Sequence, residues 1–382
     1  PEAVRDVTPC DEQCAVHIQR YKFGGVHIGQ GTANAVRRRG VMWNTGRMTA
    51  PNENTDTEAK VLTEVRNTTG VITLNRPKGL NSLDYDMIKI IDAALREWAE
   101  DDQVERVVIT SNSKHFCSGG DVKYARQAIL DGDEATVDQF FADEYDMNLR
   151  LANFGKPYIA LANGVIMGGG MGVSAHGSHF VVTEDAFASM PEMNIGYITD
   201  VGMSWTLQNL PKRPSKNLGK FLGLTGYRMT PDDMLELGLA THKVASLDGL
   251  LDRIVEEGEL SLDDASVAPS SSTIAQYFDD IEATFDGSWA EIEARLEGAF
   301  GDFVRGLIAK ASPSALVAAA ELFEANAKHD LEGALENERV LGELIRREPD
   351  FAEGVRAVLV DKDQEPKFAE QPEPEKYREV LK

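Results

Sequence analysis

Cysteine is scarce in this chain, three residues among 382, too few for a disulfide framework. None is spaced with histidine as zinc ligands are, so no metal is expected, and a reducing compartment, the cytoplasm, is the reading. Basic side chains are outnumbered as well: 39 Lys and Arg face 63 Asp and Glu, for a net charge of −24. That balance opposes accumulation on phosphate backbones or anionic lipid, so neither nucleic acid nor a membrane is an expected partner. Long apolar runs are missing too. The most apolar window, Pro157 to Ala175, is interrupted by Asn163 and by Gly164, Gly168, Gly169, Gly170 and Gly172; it reads as a buried strand and a turn, not a bilayer span. With 7% aromatic, 42% hydrophobic and 27% charged residues, what remains is an ordinary globular composition, which excludes fibrous, disordered and disulfide-stapled chains.

The chain is not uniform along its length. Residues 1 to 47 hold seven basic and four acidic side chains, so the remainder carries −27. That opening repeats at neither a helical nor a strand period, and residues 1–55 are expected to be an extension that does not fold. A basic targeting peptide is the rival reading, weakened by those acids. Beyond it, Val61–Val65 and Val71–Leu74 read as strands joined by a Thr69-Gly70 turn, followed by Leu83, Met87, Ile90, Ile91, Ala94, Leu95 and Trp98 at helical spacing. The cycle repeats with strands Val107–Thr110, Tyr158–Ala162, Phe180–Thr183 and Thr241–Val244, with helices between them and helix start signals at Asp200, Asn217 and Pro231. Continuous apolar strands alternating with helices predict an α/β fold, a sheet covered by helices, over residues 56–260. A Ser- and Asp-rich break, Ser261–Thr273, precedes helical stretches at Trp289–Lys310, Pro313–Lys328 and Leu331–Arg347, so residues 261–382 are expected to form a helical region packed on that core.

Two glycine segments stand where strands end: His115-Phe116-Cys117-Ser118-Gly119-Gly120-Asp121 and Met167-Gly168-Gly169-Gly170-Met171-Gly172. Each turns into a helix. Glycine lets a backbone approach a ligand closely, and free N–H groups at a helix start attract developing negative charge. Two such groups converging make an oxyanion hole. One glycine turn alone is explained by close packing of elements; two together favour chemistry. A dinucleotide fingerprint fails in register, because starting it at Gly168 and Gly170 puts Val173 where the third glycine belongs.

Together with Met190-Pro191-Glu192, Asp200-Val201-Gly202, Glu144-Tyr145 ahead of Asn148, His176-Gly177 and Phe351-Ala352-Glu353-Gly354-Val355-Arg356-Ala357, these segments resemble the crotonase (enoyl-CoA hydratase/isomerase) superfamily. The resemblance runs roughly from Val61 to Phe368 and, within the superfamily, is to the 3-hydroxyisobutyryl-CoA hydrolase family. It implies a crotonase-like (ClpP/crotonase) fold of repeated strand-strand-helix units with a helical C-terminal region. It implies an acyl-CoA substrate, coenzyme A being part of that substrate and no separate cofactor being needed, and assembly as a homo-oligomer, a trimer or a multiple of one. By the same resemblance, Gly120 and Gly169 offer their N–H groups to the thioester oxygen. Lys78, Leu80, Ser118, Asp121 and Val122 bind coenzyme A, with Arg76, Lys78 and Lys123 as local cations for its phosphates.

Position 172 separates the activities. Crotonase-type hydratases carry a catalytic glutamate there, whereas this chain has Gly172, and hydration asks one group to activate water while another delivers a proton to carbon. The hydrolase resemblance implies Glu192 as general base or nucleophile, Asp200 to orient water or receive a proton, and Glu144 to bind the substrate hydroxyl. Hydrolysis of 3-hydroxyisobutyryl-CoA to 3-hydroxyisobutyrate and coenzyme A, as in valine catabolism, is therefore the expectation. An enoyl-CoA hydratase or isomerase using Glu192 alone and a non-catalytic acyl-CoA-binding protein are the alternatives. The pattern departs from that family at Thr199, in place of proline, and at Met203, in place of glycine, which implies a differently shaped acyl pocket. Cys117, His115, His176 and His242 are read as packing or hydrogen-bonding residues.

Overall fold

The structure, a computed structural model, describes residues 59–370 and 372–382; the extension expected at residues 1–55 lies outside the described residues. β1 (Val61–Arg66) is an edge strand that turns through Asn67-Thr68 and pairs antiparallel with β2 (Thr69–Leu74). The Thr69-Gly70 pair expected as the turn lies inside β2. Asn67 takes the turn at φ +52°, a left-handed conformation that asparagine tolerates. Gly70 serves packing instead: a Cβ there would stand 2.5 Å from the Trp98 ring. That ring belongs to α1 (Tyr85–Glu100), started by the Asp84 carboxylate accepting from the Met87 N–H. Met87, Ile88, Ile91, Ala94, Leu95 and Trp98 form its buried face. Ile88 takes the buried place expected of Ile90, which is 36% exposed.

There follow β3 (Arg106–Ser111), α2 (Val122–Leu130), α3 (Glu134–Ala152), β4 (Tyr158–Ala162), β5 (Val165–Met167), α4 (Gly169–Gly172), β6 (His179–Thr183), β7 (Phe187–Ser189) and, after three more helices, β8 (His242–Val244). The main sheet has the order β1-β2-β3-β4-β6-β8 and is parallel from β2 onward. Helices on a parallel sheet bury both faces, and all five residues of β4 are accordingly buried. β5 and β7 pair as a separate two-stranded parallel sheet. Neither was expected, because three residues are too few to show a period.

The three intervening helices are α5 (Met203–Thr206), α6 (Lys216–Thr225) and α7 (Pro231–Leu237), and β8 leads to α8 (Leu250–Glu257) and α9 (Ser261–Ala265). The polar break at Ser261 thus opens on a short helix. Beyond it lie α10 (Phe278–Thr284), α11 (Trp289–Ala294), α12 (Gly298–Leu307), α13 (Pro313–Asn326), α14 (Leu331–Arg346), α15 (Pro349–Val355) and α16 (Glu375–Arg378). The single helix expected over Trp289–Lys310 is two, broken where Gly298 takes φ +61°. α13 packs against α6, α11, α14 and α16, while α14 lies on α3 and α15 on α2. Alanines 315, 318, 319 and 320 of α13 are fully buried, and such small side chains let neighbouring elements approach. One hydrophobic cluster runs from the strands through these late helices.

Candidate active site

The two glycine turns are held side by side by β5. Cys117 N–H donates to the Val165 carbonyl at 3.1 Å, and Met167 N–H donates to the Cys117 carbonyl at 3.0 Å. The backbones beyond Cys117 and beyond Met167 therefore start from one point. A Cβ built on Gly119 would lie 3.7 Å from the Gly169 nitrogen, and one built on Gly169 would lie 3.2 Å from the Gly120 nitrogen. Leu83 anchors the first turn: its N–H donates to the Gly119 carbonyl and its carbonyl accepts from the Asp121 N–H, both at 2.8 Å. That bridge skips the Gly120 amide. Gly169 begins α4, where an N–H has no partner within the helix. Among the described residues neither N–H donates a hydrogen bond, so two free donors face one small volume. Glycine at 169 leaves room for the Glu144 carboxylate, since a Cβ there would stand 2.6 Å from Glu144 Oε1.

Carboxylates surround the pair. Glu144 comes from α3, with Oε2 3.9 Å from a Cβ built on Gly120. Glu192 opens a 3-10 turn, Glu192–Ile195, directly after Met190-Pro191. Its Oε1 lies 2.9 Å from a Cβ built on Gly168. Glu144 Oε1 and Glu192 Oε2 are buried without a hydrogen-bond partner among the described residues. Each unmet buried polar atom costs about 1–3 kcal/mol, so two of them beside free amides indicate a place completed by a ligand.

Asp200 is differently supported. Its Oδ2 accepts from the Tyr145 hydroxyl at 2.8 Å, the Tyr197 hydroxyl stands 3.1 Å from that of Tyr145, and the buried Arg346 donates from Nη1 to the Tyr197 hydroxyl at 2.8 Å. Burial, and after it the Asp200 charge, pushes Glu144 and Glu192 well above the usual carboxylate range. Burial lifts Asp200 to about 7, opposed by the Tyr145 hydrogen bond and the Arg346 charge. The three acids thus cannot all ionise easily together, and their protonation states are tied to one another.

The turn carrying Asp200 is strained. Val201 has φ +53°, where a β-branched residue is a genuine outlier costing about 1–3 kcal/mol. Two groups hold it. His176 Nε2–H donates to the Val201 carbonyl at 2.7 Å, and Glu338 of α14 accepts from the Gly202 N–H at 2.7 Å, the Ser204 N–H at 3.2 Å and the Ser204 hydroxyl. The helix start expected at Asp200 falls at Met203 instead, with Gly202 as its cap. Positive φ at both Val201 and Gly202 ends the approach to the helix and leaves Asp200 buried. Glu192 is also held from the C-terminal region: Ser312 N–H donates to the Met193 carbonyl at 2.8 Å, and the Ser312 hydroxyl donates to Asp350 at 2.6 Å.

The residues expected to bind coenzyme A gather beside the first glycine turn. Lys78 and Leu80 lie in and just after the turn Pro77–Gly79, both exposed. The Leu80 carbonyl accepts from the Ser118 N–H at 3.1 Å, which joins the two loops. Asp121 caps α2 and pairs with Arg76 at 2.8 Å, and Val122 is the first residue of that helix. Arg76 also donates to the Ser82 carbonyl at 2.9 Å, while Lys123 is exposed. Cys117 is buried and its thiol is pushed up to about 12 by that burial, so it is no nucleophile. Met203 is wholly buried in the main cluster. Tyr197, Arg346 and Glu338 carried no motif in the sequence; Tyr145 was visible only as the neighbour of Glu144.

Two unpartnered main-chain amides beside buried carboxylates are the kind of arrangement with which an α/β enzyme stabilises negative charge on a carbonyl oxygen. Residues 69–380 match the model of a family described as enoyl-CoA hydratase/isomerase, and the chain belongs to that family. It is 37% identical to the mitochondrial 3-hydroxyisobutyryl-CoA hydrolase of Danio rerio, over 81% of this chain and 85% of that protein. It is 35% identical to the protein of the same name from Homo sapiens, over 88% and 90%. A crystal structure of an enoyl-CoA hydratase from Rhodobacter sphaeroides 2.4.1 matches with TM-score 0.77 at 35% identity, covering 85% of this chain and 97% of that one. A carnitinyl-CoA dehydratase from Mycobacterium thermoresistibile matches with TM-score 0.78 at 32% identity, covering 85% and 96%. The fold is the α/β, crotonase-like one that the motifs imply.

Proposed function

We propose that the protein is a thioester hydrolase that cleaves 3-hydroxyisobutyryl-CoA to 3-hydroxyisobutyrate and coenzyme A, a step of valine catabolism. One observation carries the reading: Glu192 stands beside the free amides with Oε2 unpartnered, while the other carboxylate position of a hydratase is Gly172. The relatives named above for this hydrolysis support it. The Gly120 and Gly169 N–H groups hold the thioester oxygen as charge develops, a donor of this kind being worth about 10²–10³ in rate. Ionised Glu192 takes a proton from the water attacking the carbonyl carbon, or attacks that carbon itself to give an anhydride that water opens; in either course the thiolate of coenzyme A leaves and is protonated. Asp200 orients the water or receives its proton, and Glu144 binds the substrate hydroxyl.

Coenzyme A enters as part of the substrate, held by Lys78, Leu80, Ser118, Asp121 and Val122, with no separate cofactor. A homo-oligomer, a trimer or a multiple of one, and a cytoplasmic location complete the reading, the latter resting on the three cysteines. Glu192→Gln is the test: thiol release should be abolished while the hydroxyacyl thioester still binds in calorimetry, and retained turnover would remove Glu192 from the chemistry.

A further inference from the structure

Asn148 of α3 is fully buried, and neither its Nδ2 nor its Oδ1 has a hydrogen-bond partner among the described residues. A primary amide has two N–H donors and an acceptor oxygen to satisfy, and native interiors rarely leave such a group unmet. Its position is informative. Asn148 lies one helical turn after Glu144 and so on the same face of α3. Its side chain fills the room beside Gly172: a Cβ there would stand 2.8 Å from Asn148 Nδ2 and 2.9 Å from the Val201 Cβ. Two glycines of α4 therefore face two polar side chains of α3, Gly169 opposite Glu144 and Gly172 opposite Asn148. The first pair lies at the free amides; the second lies further along α4, against the strained residue that follows Asp200.

We propose that Asn148 is a specificity-determining residue that recognises the hydroxyl of the acyl group. This deepens the hydroxyacyl-thioester reading above and rests on it. With the thioester oxygen at the amides of Gly120 and Gly169, the acyl group lies against the face of α3 that carries Glu144 and Asn148. Asn148 Nδ2–H donates to the hydroxyl oxygen, and the hydroxyl proton is donated to Glu144 Oε1, which like the Asn148 amide has no partner among the described residues. An acyl group without the hydroxyl leaves both buried atoms unmet. A site built to bond a hydroxyl rejects the analogue lacking it far more strongly than pocket shape can.

Calorimetric binding of 3-hydroxyisobutyryl-CoA and of isobutyryl-CoA to Glu192→Gln protein, alone and combined with Asn148→Leu or Asn148→Ala, tests this. The Glu192→Gln protein should prefer the hydroxylated thioester by about 10-fold or more, one bond of this kind being worth at least that ratio. Both Asn148 variants should cut the preference below about 3-fold by weakening the hydroxylated ligand alone. Should Asn148→Leu fail to fold, Asn148→Ala carries the comparison, since the preference is a ratio on one folded population. Absence of a preference in the Glu192→Gln protein, its survival in an Asn148 variant, or an equal loss for both ligands would overturn the role. Because binding is read here and turnover is not, a wild-type protein that releases no thiol would sink the hydrolase reading without deciding this comparison.

Discussion

At the level of single residues the site is defined by what is unmet: two amides, two carboxylate oxygens and one side-chain amide lack partners among the described residues. Gly169 is its most constrained point. The methyl of Gly169→Ala would sit between Glu144 Oε1 and the Gly120 nitrogen, where the proposed function puts the thioester oxygen. The carboxylate can swing aside, so the protein is expected to fold with an unchanged circular dichroism spectrum while kcat for thiol release falls by about 10²–10³; near-parental kcat would mean the oxyanion lies elsewhere. Acid–base behaviour is set by burial, which raises Glu192 and lifts Asp200 to about 7. In the proposed function Glu192 works ionised, so kcat/KM should be low in acid and climb as pH rises through neutrality. Tyr145→Phe removes the hydrogen bond that favours ionised Asp200. Asp200 then protonates more readily and its charge opposes Glu192 less, so the acidic limb set by Glu192 should move to lower pH; an unmoved limb in the pH–rate profile would show that the two acids do not share their ionisation.

At the level of elements, the glycine turns were legible because two of them stand at strand ends, where a single one would be explained by packing, and the strands before them were clear from their apolar runs. What joins the turns was not: β5 and β7 are too short to show a period. Thr69-Gly70 misled for a related reason, since Gly70 is there to admit Trp98 and not to turn the chain. The supports of Asp200 were hidden by distance along the chain, with Arg346 149 residues beyond the Tyr197 hydroxyl it reaches and with only helical periodicity to mark α14. Glu338 shows what that helix does for the site. Glu338→Ala would strip the acceptor from the Gly202 and Ser204 N–H groups and the Ser204 hydroxyl, and should lower the unfolding free energy by about 3 kcal/mol. It should also reduce kcat by releasing the turn that aims Asp200. Denaturant unfolding together with thiol-release kinetics checks both, and a change in stability with kcat intact would confine Glu338 to structure.

Across the whole molecule, the glycine turns supply the amides, α3 brings Glu144 and Asn148, and the C-terminal helices brace the other acids: α14 holds the Asp200 turn, and the Ser312–Asp350 pair braces the turn of Glu192. The family is described as enoyl-CoA hydratase/isomerase while relatives are named as hydrolases, so the fold alone does not choose between the two reactions; in the proposed function the choice rests on Glu192 together with glycine at position 172. The direct measurement offers purified protein 3-hydroxyisobutyryl-CoA and, separately, the matching enoyl-CoA, following free thiol and enoyl absorbance together. Thiol should be released from the hydroxyacyl thioester with the enoyl absorbance left steady. Loss of enoyl absorbance without thiol release would make the protein a hydratase and contradict the assignment of Glu192 to thioester cleavage.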